Sequence, residues 1–164
     1  MQSDSATTRA ATSALNTARA DAFRWTLRVY YEDTDTGGIV YYANFLKFFE
    51  RCRTEWLRAL GVDQATLAAE HGLQFVVVSA AVQYIRPARL DDELRVSARI
   101  AKRGRASLEF VQEAHRGDEL LATAQVKVAC VAATTLAPAA MPPHLQRALD
   151  RTDKHTTESE QDHE

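Results

Sequence analysis

The chain has 164 residues, 46% of them hydrophobic and 26% charged, with a formal net charge of −2. These values fit one soluble globular domain with tails, and they leave no concentrated basic field of the kind that a nucleic-acid surface requires. No apolar run reaches the roughly 18 residues needed to cross a bilayer, and Cys52 and Cys130 lie too far apart for a CxxC or clustered metal site, so a cytoplasmic protein without membrane span, disulfide or metal is expected.

Residues 1–22 hold 14 Ala, Ser or Thr and only Leu15 as a large aliphatic side chain besides Met1. They bury too little to offset the entropy of ordering and read as a flexible tail. Residues 150–164 carry six acids and no hydrophobic member, and read as a solvated, disordered acidic tail. Between them, residues 23–149 carry 16 basic and 14 acidic side chains, a mildly basic working domain.

Within that domain Phe23–Tyr31 is aromatic and branched, which predicts a strand. Glu32–Gly38 collects turn-forming residues around two glycines and predicts a loop. From Asn44 the apolar residues Phe45, Phe48, Phe49, Cys52, Trp56, Leu57 and Leu60 recur at helical spacing, with charged residues mostly opposite, and Gly61 stops the helix. A shorter helix is predicted over 63–70. Phe75–Ile85 is nearly continuous in apolar and small residues, which predicts a strand buried on both faces until Arg86-Pro87 ends it. Glu93–Ile100 alternates with one wet face, Lys102–Arg105 makes a basic turn, and strands follow over 106–115 and 120–131. A short helix, His144–Leu149, closes the domain. One long helix and about five strands joined by tight turns make an α+β pattern, an antiparallel sheet wrapped round a central helix.

The densest chemical signal is the loop 31–38, YEDTDTGG, running into Ile39-Val40-Tyr41-Tyr42 and the long helix. Helix starts present unpaired N–H groups and partial positive charge, suited to polarising a carbonyl or holding an oxyanion. A nearby Asp can act as base or nucleophile, or it can simply cap the turn, and the residues alone do not choose among Glu32, Asp33 and Asp35. A calcium loop fails because its twelfth position would be Asn44 and no helix enters. His71 and His115 sit at a helix end and beside a hairpin turn, where structural roles suffice. Lys102, Arg103 and Arg105 form a basic hairpin tip that a phosphate could meet.

The segment 30–61, YYEDTDTGGIVYYANFLKFFERCRTEWLRALG, resembles the hotdog-fold acyl-CoA thioesterases, most closely the YbgC type associated with the bacterial Tol-Pal system and related to 4-hydroxybenzoyl-CoA thioesterase. Phe75-Val76-Val77, Tyr84–Asp92 and Arg103–Ser107 are similar to that branch too, so the resemblance covers roughly residues 24–133. It implies that Asp35 is catalytic and that the polarising backbone N–H falls on Tyr42, where many relatives carry His. It further implies an acyl-CoA substrate, no cofactor beyond the CoA of the substrate, and homodimers with sites at the interface, often paired into homotetramers. Lys102, Arg103 and Arg105 become candidates for the CoA phosphates, and Phe45 and Phe49 for the acyl pocket, although a helical Phe stripe also serves as plain core. The alternative function is a non-catalytic acyl-CoA or acyl-carrier-protein binding partner associated with the envelope.

Overall fold

The structure, a computed structural model, describes residues 22–158; residues 1–21 and 159–164, which hold most of the expected N-terminal tail and the end of the acidic one, lie outside it. The elements in chain order are β1 (Phe23–Arg28), a 3-10 turn (Tyr31–Asp33), α1 (Asn44–Ala59), α2 (Gln64–His71), β2 (Leu73–Tyr84), β3 (Glu93–Arg103), β4 (Ser107–Arg116), β5 (Glu119–Ala132) and α3 (Pro143–Glu158). The strands form one antiparallel sheet in the order β1-β3-β4-β5-β2, curved round α1. This is the α+β arrangement, a sheet round a central helix, that the strand and helix patterns predict, and it is the hotdog fold that the resemblance implies.

The core lies between α1 and the sheet. Phe45, Phe48, Phe49, Cys52, Trp56 and Leu57 of α1 are all buried, against Leu94, Val96 and Ala98 of β3, Leu108 and Phe110 of β4, and Val126 and Val128 of β5. The Trp56 ring meets Phe110 edge-on, with centroids 5.1 Å apart. Truncating a fully enclosed ring such as Phe48 to Ala costs about 3–5 kcal/mol in lost transfer and cavity terms. One polar group is built into this core: Gln112 is fully buried, its Nε2 donates to the Phe49 carbonyl at 3.0 Å, and its Oε1 accepts from Arg53 at 2.8 Å.

Two expectations change. The strand over 75–85 is not buried on both faces: β2 is an edge strand paired only with β5, and Val77 and Val78 are 55% and 59% exposed in the single chain. A continuous apolar run signals burial without saying what does the burying, and here one chain leaves the edge uncovered. The terminal helix also outruns its apolar pattern, reaching Glu158 instead of Leu149. Met141, Leu145 and Leu149 dock in the core, and the residues after them contain no Gly or Pro to stop the helix, so it continues into the acidic segment.

Candidate active site

The loop between β1 and α1 is ordered by its own backbone. Thr34 bridges Val40, the Asp35 N–H donates to the Ile39 carbonyl at 3.0 Å, and Gly38 takes φ +73°, a conformation that glycine adopts without strain. The loop is then docked on the segment after β2 by Val40 N–H donating to the Ala88 carbonyl at 2.8 Å and by an Ile39–Arg89 bridge.

Within this frame the two aspartates differ. Asp33 is buried; its Oδ2 accepts from the Tyr30 N–H at 2.8 Å, and its carbonyl accepts from the Tyr41 N–H at 2.9 Å and from Asn44 Nδ2 at 2.8 Å. It fastens the loop to the first residue of α1. Asp35 is exposed, and its Oδ1 accepts from the Gly37 N–H at 2.8 Å. That bond orients the carboxylate and leaves Oδ2 without a partner among the described residues. A Cβ on Gly37 would stand 3.0 Å from Asp35 Oδ1, so the missing side chain is what lets the carboxylate settle there.

Downstream, the helix opens on Ala43 in helical geometry with no side chain capping it. The N–H groups of Asn44, Phe45 and Leu46 are taken by the carbonyls of Tyr41, Tyr42 and Ala43, whereas those of Tyr42 and Ala43 meet no acceptor among the described residues. Tyr42 therefore lies in the turn just before α1, two residues ahead of its first residue, with a free amide and a ring that is 61% exposed. An oriented carboxylate on one side and unpaired amides at a positive helix end on the other are the parts needed to attack a carbonyl carbon and hold its oxygen.

Aromatic rings line this corner. Tyr41 and Tyr42 have centroids 4.9 Å apart, Tyr42 meets Tyr84 edge-on at 6.0 Å, and Tyr84 meets Phe45 at 5.7 Å. The Tyr41 phenol is held above its ordinary range, first by hydrogen bonding and charge interaction with the Tyr42 hydroxyl, then by slight desolvation and the Asp35 carboxylate. Burial and the charge of Tyr42 push Tyr84 in the same direction. The Tyr41 and Tyr84 hydroxyls are protonated across the neutral range, as phenols ordinarily are, and these shifts reinforce that state. Tyr84, at the end of an apolar strand 42 positions beyond Tyr42, joins the cluster only through the fold; its one sequence signal is an aromatic residue just ahead of Arg86-Pro87.

The remaining candidates fall elsewhere. Phe45 is buried yet touches the aromatic corner, while Phe49 is wholly enclosed in the core. Lys102 and Arg103 end β3 and Arg105 lies in the turn after it, roughly 30 Å along the strand from its start, where Asp92 meets Val29 at the beginning of the β1–α1 connection. Arg103 there pairs with Asp150 at 2.7 Å and donates to the Gln146 carbonyl at 3.3 Å, tying the turn to α3, while Lys102 and Arg105 are exposed. A cavity of about 90 Å³ opens between α1, α2 and the sheet, lined by Arg53, Thr54 and Gln64 above Phe75, Phe110 and Val128; neither Asp35 nor Tyr42 reaches it.

Comparison with known proteins identifies the family. Residues 29–149 match the thioesterase-like superfamily. The chain is 44% identical over 129 residues to the acyl-CoA thioesterase YbgC of Haemophilus influenzae, covering 79% of this chain and 95% of that one. It is 46% identical over 121 residues to the acyl-CoA thioester hydrolase YbgC of Escherichia coli, covering 73% and 90%. The crystal structure of a probable thioesterase from Bartonella henselae superposes with a TM-score of 0.71 at 35% identity, covering 74% of this chain and 99% of the other. The chain belongs to the thioesterase-like superfamily, in its YbgC-type hotdog branch.

Proposed function

We propose that the protein hydrolyses acyl-CoA thioesters to the free acid and CoA at the Asp35 loop. The observation that carries this reading is the exposed Asp35 carboxylate, fixed by the Gly37 N–H and placed just upstream of the unpaired amides that open α1. The thioester oxygen would accept from the Tyr42 amide while Asp35 acts on the carbonyl carbon, a pairing that places fixed donors where negative charge develops. In one route Asp35 takes a proton from water as the oxygen of that water bonds to carbon; the C–S bond then breaks and the thiolate is protonated. In the other, a carboxylate oxygen bonds to carbon and expels the thiolate, and water opens the resulting mixed anhydride. Neither route needs a cofactor, since CoA arrives with the substrate. The backbone donor also makes the absence of a His at position 42 tolerable, because the amide does not depend on the side chain.

Homodimerisation through β2 supports this chemistry. The edge strand exposes Val77, Val78 and Tyr84 next to its unpaired backbone groups, and a second copy paired there would bury them and wall the open Asp35 corner. Lys102 and Arg105 remain the cations offered to the CoA phosphates, reached across such a dimer and not within one chain. A cytoplasmic setting suits the two unpaired buried cysteines. The non-catalytic reading is not favoured, since the relatives reported above carry the names of hydrolases.

The test is CoA-thiol release from short, long and aromatic acyl-CoAs by wild type and Asp35→Asn, with an acyl carrier protein thioester as a further donor. Loss of turnover by at least about 10²-fold with an unchanged melting temperature is expected. Slow turnover that the substitution leaves untouched would return the protein to the binding class.

A further inference from the structure

We propose that Tyr84 is a positioning residue for hydrolysis, whose hydroxyl holds the Tyr42–Ala43 peptide so that the Ala43 amide faces the thioester oxygen as a second donor beside that of Tyr42. The inference rests on the site reading given above. Its carrying observation is the hydrogen bond that Tyr84 Oη donates to the Tyr42 carbonyl at 2.9 Å, across 42 positions of sequence.

The Tyr42 carbonyl and the Ala43 N–H belong to one planar peptide unit, so fixing the oxygen fixes the direction of the N–H. Without Tyr84 this carbonyl would keep, among the described residues, only the Phe45 N–H, a longer contact at 3.3 Å. A second donor on the carbonyl also polarises the amide and strengthens its N–H as a donor. The bonds to Asp33 hold Tyr41 and Asn44 on either side, but no side chain caps the helix, and among the described residues Tyr84 supplies the side-chain donor on this peptide unit.

Tyr84 is itself well anchored. It pairs with Ala122 of β5, and the next two N–H groups, of Ile85 and Arg86, both donate to the Leu121 carbonyl at 2.8 and 3.0 Å. Its ring stands edge-on to Tyr42 at 89° and against Phe45 at 73°, which limits rotation of the phenol and aims the hydroxyl at the backbone. The hydroxyl is a donor at working pH, as any phenol is, and partial burial shifts it further in that direction. Because it touches backbone and not the reacting atoms, its effect belongs to the rate of the chemical step more than to binding of the CoA arm.

The experiment compares wild type, Tyr84→Phe, Tyr84→Leu and Asp35→Asn in steady-state CoA-thiol release, with melting temperature and the affinity for a non-hydrolysable acyl-CoA thioether. Tyr84→Phe keeps the ring and removes only the donor; it is expected to lower kcat about tenfold, less than the 10²–10³ of losing an oxyanion donor outright, with KM and thioether affinity within about twofold and the fold unchanged. Tyr84→Leu should lose more and also melt earlier. An unchanged kcat in Tyr84→Phe, or a loss confined to KM or tracking the melting temperature, overturns the assignment. Full turnover in Asp35→Asn would overturn the site reading and this inference with it. A dead Asp35→Asn beside a normal Tyr84→Phe overturns the inference alone.

Discussion

The Asp35 loop and the Lys102–Arg105 turn are the two polar segments most suggestive of chemistry, and they meet different fates. The loop satisfies its backbone internally and spends Asp33 on structure, leaving Asp35 oriented and exposed. The basic turn spends its middle residue, Arg103, on Asp150 and the Gln146 carbonyl of α3. A charged group remains available for function when its neighbours carry the local structural work, and becomes structural when a distant segment supplies its partner.

The contrast between the two aspartates should be the largest effect measured. Asp35→Ala is expected to lower kcat/KM by about 10²–10⁴-fold and leave stability nearly unchanged. Asp33→Ala should instead destabilise the fold by about 1–3 kcal/mol, because the buried Asp33 carboxylate and its part-buried bond from the Tyr30 N–H are lost. Urea unfolding beside thiol-release kinetics separates them, and similar profiles for both variants would erase the distinction between them.

Gly37→Ala sharpens the same point from the backbone side. Its new Cβ would crowd Asp35 Oδ1 at 3.0 Å, so the carboxylate must shift by a few tenths of an ångström. A loss of about tenfold in kcat with little change in melting temperature is expected, since sub-ångström misplacement weakens attack without removing the group. Wild-type kinetics in this variant would show that the orientation by Gly37 is incidental.

At the basic turn the effects should be smaller and divide by residue. Arg103→Ala is expected to cost about 0.5–1 kcal/mol of stability by releasing α3, as a partly exposed ion pair does. Lys102→Ala with Arg105→Ala should raise KM for acyl-CoA a few-fold at low salt and little at high salt, where exposed charges are screened. An unchanged KM at both ionic strengths would remove the turn from CoA recognition.

The smallest effect concerns α2. Asp63 caps it, accepting from the Thr66 N–H at 2.8 Å, and its carboxyl is held below the usual range first by the Thr66 hydroxyl and then by that backbone bond. A depressed native pKa contributes stability above the unfolded value, lost as pH falls through the native one. Asp63→Ala should therefore melt slightly below wild type at neutral pH and converge with it in acid, which differential scanning at both pH values would reveal.

Much of this was legible in the residues themselves. The spacing of Phe45, Phe48, Phe49, Cys52, Trp56 and Leu57 marks the buried face of α1, and the alternation of Leu94, Val96 and Ala98 marks the inner face of β3, because period and burial are local consequences of backbone geometry. The loop over 31–38 was visible as the place for chemistry, and its resemblance to a known family selected Asp35.

Other features only the tertiary structure decided. Which aspartate is enclosed depends on Tyr30, Tyr41 and Asn44 converging on Asp33, and no periodicity encodes that convergence. The placement of β2 at an edge, the tie from Arg103 to α3 and the reach of Tyr84 to the start of α1 each join residues 42 or more positions apart, or strands whose order is not the chain order. Local sequence determines which surfaces a segment offers, through propensity and pattern; which partner those surfaces meet is settled by how the whole sheet closes round one helix.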